Sequence, residues 1–142
     1  EWLDETKPEP ALLPDDPVQR AKVRAFAQII ACDIHPLQNL RVLQYLRSEL
    51  GQDQAGLDKW CRTWLGEGLG ACEALLARGR RHRFCFGDTP GLADICLVPQ
   101  VFSAERFGVD LSGMPTVRSI AGACNALPAF AKAHPSVQPD AE

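Results

Sequence analysis

The chain has 142 residues, a length that suits one domain with one buried core. With 46% hydrophobic and 23% charged residues, its composition is that of an ordinary globular domain. A formal charge of -3 provides no positive field for nucleic acid, so an anionic ligand must be gripped by a few placed arginines. No apolar run approaches the ~20 residues of a membrane-spanning helix, and no membrane partner is expected.

Six cysteines, Cys32, Cys61, Cys72, Cys85, Cys96 and Cys124, include no CxxC pair and no cysteine–histidine cluster, so no metal site is expected. Most sit among apolar neighbours, as in LGACEALL and LADICLVPQ, where reduced thiols pack as small hydrophobes. That usage points to a reducing cytoplasm. The opening EWLDETKP looks like a segment already under way, with Trp2 and Leu3 lacking a local partner, so a preceding portion is expected.

Residues 7–17, KPEPALLPDDP, hold four prolines and two adjacent aspartates, the composition of an extended linker that ends at a helix cap. Asp15 or Asp16 is the expected cap and Pro17 the first helical residue. The first long helix runs to about residue 33 through Ala21, Val23, Phe26, Ala27, Ile29 and Ile30. Its pattern becomes apolar on nearly all sides, which predicts a central position. Pro36 lacks a donor and disfavours helical geometry before it, so a break is expected at residues 33–35. A second segment follows through Leu37, Leu40, Leu43 and Leu46.

From Asp53 onward, Leu57, Trp60, Cys61, Trp64, Leu65, Cys72, Leu75 and Leu76 trace one face of a long helix that ends near Gly79. Residues 91–104, GLADICLVPQVFSA, form a buried helix bent at Pro99. A last helical stretch at about 115–133 is interrupted by Pro128, and HPSVQPDAE follows as a surface tail. No strand alternation or repeat is present. The expected fold class is all-α, a single helical bundle.

Three stretches carry chemistry. In ACDIHPLQNLRVLQYL, residues 31–46, a kink at Pro36 aims His35 outward while Asn39 and Arg41 offer donors to carboxylates or peptide carbonyls. The same residues also suit a helix cap and a solvated arginine. In FGDTPGLADICLVPQ, Asp94 fits the acid that returns to the cap of its own helix, although the cap is Gly91 and has no side chain to reciprocate. A structural role for Asp94 is favoured over that of a general base. In VPQVFSAERFGVDL, Arg106 follows the buried helix, where a planar guanidinium can hold a carboxylate with two parallel bonds. Its alternative partners are Glu105 and Asp110. The loop RGRRHR, residues 78–83, is expected to be a solvated turn. Cys32 and Cys96 lack the basic, exposed setting that activates a thiolate.

These stretches, in the order WLDE, HPLQNL, GLADICLVPQV, AERF and a terminal HP…QPD, resemble the zeta-class glutathione transferases, the maleylpyruvate and maleylacetoacetate isomerases. The resemblance runs over nearly the whole chain. It implies that residues 1–14 are the end of an N-terminal domain and the interdomain linker. Residues 15–142 would then be the all-helical C-terminal domain, with the thioredoxin-like domain missing. His35, Asn39, Leu40 and Arg41 occupy the positions that the family uses to contact its cofactor, glutathione, through side chains or backbone. Arg106 falls where the family places an arginine toward the substrate, which makes it the implied catalytic and substrate-binding residue.

The implied activity is cis–trans isomerisation of a maleyl keto acid, a small dicarboxylic substrate, in aromatic catabolism. It would proceed by reversible addition of the glutathione thiolate, in a cytoplasmic homodimer of two-domain subunits. The 142-residue chain alone is expected to be inactive, because the thiol-activating serine and cysteine motif of the family lies outside it. Two other readings are a transferase acting on small haloacids and a non-catalytic interaction module.

Overall fold

A computed structural model describes residues 1–141. Glu142, the last residue of the expected tail, lies outside the described residues. A short helix α1 (Trp2–Thr6) precedes the linker, and α2 (Pro17–Gln28) starts where the prolines and aspartates indicate. Of the two aspartates, Asp16 is the cap: its Oδ1 accepts from the Gln19 N–H at 2.8 Å, with Pro17 in the first turn. Trp2 and Leu3 are exposed, at 71% and 59% of their surface, as their lack of local partners suggested.

The expected break at residues 33–35 lies elsewhere. The chain widens into a π-helical turn, Ile29–Ile34, tightens into a 3-10 turn, His35–Gln38, and leaves helical geometry only at Asn39 (φ -63, ψ 143). The His35 N–H bonds to the Ile30 carbonyl, a five-residue step that adds one residue to the turn. Pro36 then enters near the start of a new turn, where its missing N–H costs nothing, rather than inside an α-helix where its ring would meet the carbonyl four residues back. Helix α3 (Leu40–Ser48) follows.

Helix α4 (Gln54–Arg78) is capped by Asp53 and ends at Gly79 as expected, but Leu75, expected on its apolar face, is 46% exposed. The helix buries Cys61, Leu65, Leu69, Cys72 and Leu76 along one stripe. Helix α5 (Leu92–Arg106) continues unbroken through Pro99 and packs against α2, α4 and α6 (Pro115–Asn125) as well as the π turn. The centre therefore belongs to α5 and not to α2, which buries Val23, Phe26 and Ala27 but exposes Val18, Ala21 and Ala25 on its other side. Helix α7 (Pro128–Ala133) begins at the proline that interrupts the last stretch. Among the described residues the only β-type pairing is an isolated bridge between Phe84 and Gly87. No helix of the described residues is long and apolar enough to cross a membrane.

One contact sets the π turn in place, and another fixes the start of α6. Gly68 on α4 leaves room for Ile34, whose side chain would overlap a Cβ at that position. At the far end of α4, the Glu73 carboxylate accepts from the Thr116 and Val117 N–H groups at 3.1 and 2.8 Å. This caps α6 from a neighbouring helix, since Met114 at its own N-cap provides no side-chain bond.

Candidate functional site

The turn at residues 35–41 is built around satisfied backbone groups. The Trp60 indole on α4 donates to the Leu37 carbonyl at 2.7 Å, and Asn39 Oδ1 accepts from the Arg41 N–H at 3.1 Å as the cap of α3. The cap reading of Asn39 is therefore realised. Its side-chain amide hydrogens are not used by that bond, so Asn39 remains a donor. The Leu40 N–H, in the first turn of α3, has no acceptor among the described residues, while the Leu40 side chain is 68% exposed.

His35, Asn39, Leu40 and Arg41 are all exposed and lie within one short stretch, so the structure brings the four together. A residue not singled out from the sequence lies against His35 alone among the four. Gln100 of α5, only 5% exposed, has its Nε2 3.3 Å from His35 Nδ1, and its Oε1 accepts from the Gln38 amide. The signal was available: one glutamine inside the apolar run LADICLVPQVFSA must find partners when buried.

Arg106 ends α5, six residues beyond Gln100, or about 9 Å along the helix. It is exposed, and its guanidinium carbon lies 5.9 Å from the Phe107 ring centre. Neither Glu105 nor Asp110 pairs with it: among the described residues the only ion pair joins Arg24 and Glu1. Asp110 is engaged in its own turn, where the Ser112 N–H at 2.8 Å holds its carboxyl below the usual range. Arg62 of α4 approaches the same end of α5, with Nη1 3.4 Å from the Phe107 carbonyl.

Five of the six thiols are held protonated by burial, and Cys32 is exposed. All six cysteines are free, and burial pushes Cys72 up to about 11 and Cys124 up to about 12, with Cys61, Cys85 and Cys96 raised for the same first reason. Asp94 is 2% exposed and accepts from the Gly91 and Cys85 N–H groups, both at 2.9 Å, with the Cys124 thiol at 3.8 Å. It is a structural anchor, as its place three residues after the cap indicated. The RGRRHR loop is exposed throughout.

The family model for the glutathione S-transferase C-terminal domain matches residues 54–137. The chain belongs to that family. It is 54% identical over 141 residues to a maleylpyruvate isomerase of a Ralstonia species, covering 99% of this chain and 66% of the relative. A solved holo structure of maleylpyruvate isomerase, described as a bacterial zeta-class glutathione S-transferase, superimposes with a TM-score of 0.97 at 53% identity. That match covers 99% of this chain and 67% of the other.

A maleylacetoacetate isomerase from Anaeromyxobacter dehalogenans 2CP-1, solved with dicarboxyethyl glutathione and citrate in its active site, superimposes with a TM-score of 0.92 at 45% identity. It is covered over 62% of its length and covers 99% of this chain. The zeta-class resemblance of the HPLQNL, GLADICLVPQV and AERF stretches is thereby borne out. The chain spans just under two thirds of the length of the curated relatives it matches.

Proposed function

We propose that this chain is the substrate-side domain of a glutathione-dependent isomerase that converts a maleyl keto acid, maleylpyruvate or maleylacetoacetate, to its fumaryl form. The supporting observation is two separate sets of unengaged donors, one on the turn at residues 35–41 and one at the end of α5. At the first, His35, Asn39, Leu40 and Arg41 are exposed on a short turn with N–H donors to spare. At the second, Arg106 has no anionic partner among the described residues.

The first set suits glutathione, a tripeptide with two carboxylates and two peptide carbonyls, because it offers donors and no carboxylate of its own. Glutathione supplies the thiol nucleophile and is regenerated. Arg41 and the Leu40 N–H neutralise and orient carboxylate, while Asn39 and His35 provide directional bonds. Arg106 holds a carboxylate of the substrate with its planar fork and stays charged at any working pH. The chain's own contribution is thus orientation and electrostatic complementarity, which lower the barrier by fixing reactants in register.

A thioredoxin-like domain, carrying the groups that activate the thiol, and a homodimeric assembly in a reducing cytoplasm complete this reading. The test is direct: the full-length protein is mixed with glutathione and maleylpyruvate or maleylacetoacetate, and the product is followed spectroscopically and by chromatography. Glutathione-dependent appearance of the fumaryl isomer is expected. Turnover that ignores glutathione, or none with either acid, contradicts the proposal.

A further inference from the structure

The side chains of Gln38, Gln100 and His35 form one chain of hydrogen bonds that links the helix break to the centre of the bundle. Gln100 belongs to α5, the helix that touches α2, α4, α6 and the π turn, so its amide is held by the most enclosed element of the fold. Its Oε1 accepts from the Gln38 Nε2, which commits its own Nε2 hydrogens to the other side. There they meet His35 Nδ1 at 3.3 Å. A neutral imidazole has one protonated nitrogen, and the nitrogen that receives a hydrogen bond is the other one.

From this geometry we infer that Gln100 is a positioning residue that fixes His35 as the tautomer protonated on Nε2. His35 then presents an N–H, not a lone pair, to its ligand. The inference rests on the proposed role of residues 35–41 in holding glutathione, whose carboxylates and peptide carbonyls accept hydrogen bonds and do not give them.

The direction of the bonds carries the consequence. With Gln100 as donor, the exposed His35 ring adds a directional N–H to those of Asn39, Leu40 and Arg41, all of the same polarity. With both amides turned over, Nδ1 would hold the proton and Nε2 would offer a lone pair that repels the same ligand atoms. A buried glutamine that served only to fill space would impose neither choice. The substitution Gln100→Glu keeps the shape and still accepts from Gln38, but it replaces the donor facing His35 with an acceptor. The proton is then drawn to Nδ1.

The experiment is long-range 1H–15N correlation spectroscopy of the histidine rings in the full-length protein, with His35→Gln used to assign His35. In the unmodified protein, His35 Nδ1 should resonate as a bare nitrogen and Nε2 as a protonated one. In Gln100→Glu, Nδ1 should move to the protonated range. A protonated Nδ1 in the unmodified protein overturns the inference whether or not any variant folds, as does an unmoved Nδ1 in a folded Gln100→Glu. Glutathione titration separates this result from the functional reading. If the tautomer is as expected, the Gln100→Glu dissociation constant should rise about threefold to tenfold, the loss of roughly one hydrogen bond. A correct tautomer with no glutathione binding in the unmodified protein sinks the glutathione assignment and leaves the tautomer standing.

Discussion

Gly91 sits against the main chain of Leu12: a Cβ at position 91 would lie 2.8 Å from the Leu12 carbonyl oxygen, which already accepts from the Leu92 N–H at 2.9 Å. The linker and the first turn of α5 are therefore joined backbone to backbone. By local chemistry alone, glycine at a helix cap is a mild loss relative to serine or threonine. The packing reverses that judgement. Gly91→Ser should lower stability by about 1–3 kcal/mol, because the gain of a cap bond is smaller than the cost of displacing the linker. Chemical denaturation of the two proteins checks this. A Gly91→Ser protein with a higher midpoint would show that the linker yields freely.

Asp94 answers three donors from three parts of the chain, which is more than the single return bond its spacing suggested. Removing the carboxylate strands two N–H groups, and orphaning a buried donor costs about 1–3 kcal/mol. Asp94→Ala should therefore destabilise by about 2–4 kcal/mol, and Asp94→Asn by roughly half as much, since one oxygen survives. The kinetic constants of the folded variants should stay close to the original. A large fall in kcat with an unchanged denaturation midpoint would instead mark Asp94 as an acid in the reaction.

The buried thiols set an alkaline limit. Cys72 is raised from the ordinary 9.0 to about 11 and Cys124 to about 12, with desolvation the leading cause in both. Below pH 9 both forms of the chain are protonated and the stability is complete. Above it the unfolded chain releases protons that the folded chain keeps, so stability falls at about 1.4 kcal/mol per pH unit for each such thiol. The urea midpoint should decline steadily from pH 9 to 10.5, and Cys72→Ala, once its own packing loss is subtracted, should decline less steeply. A flat profile over that range would contradict the burial of these groups.

The legible parts of the fold were those fixed by local chemistry. Asp16 with Pro17, Asp53 with Gly79, and the stripe from Leu57 to Leu76 on α4 each follow from caps and periodicity that need no tertiary knowledge. A disruption near Pro36 was visible, but neither its place nor its form was. A proline forbids one hydrogen bond and does not choose how the turn before it absorbs the extra residue; that choice depends on Ile34 finding space over Gly68. Glu73 capping α6 and Gln100 reaching His35 were hidden for the same reason, since the partners lie 43 and 65 residues apart in sequence. Centrality was misjudged because α2 and α5 are both rich in apolar residues, and only packing on three sides distinguishes α5. Residues 35–41 and Arg106 stand together as candidates through the family resemblance, whereas their spacing alone also fits a cap and a solvated arginine.

The proposed function divides the labour between two arginines, Arg41 for glutathione and Arg106 for the maleyl substrate, and one steady-state experiment on the full-length protein measures that division. Michaelis constants for glutathione and for the maleyl keto acid are determined in Arg41→Ala and Arg106→Ala, with thermal melts to confirm folding. Each lost charge-assisted contact is worth about 1.5–3 kcal/mol, or roughly tenfold to a hundredfold in catalytic efficiency. Arg41→Ala should raise the constant for glutathione and leave that for the acid nearly unchanged. Arg106→Ala should do the opposite, with kcat also falling if the contact tightens along the reaction. Folded variants that affect both constants equally, or neither, would contradict the assignment of the two ends of the site.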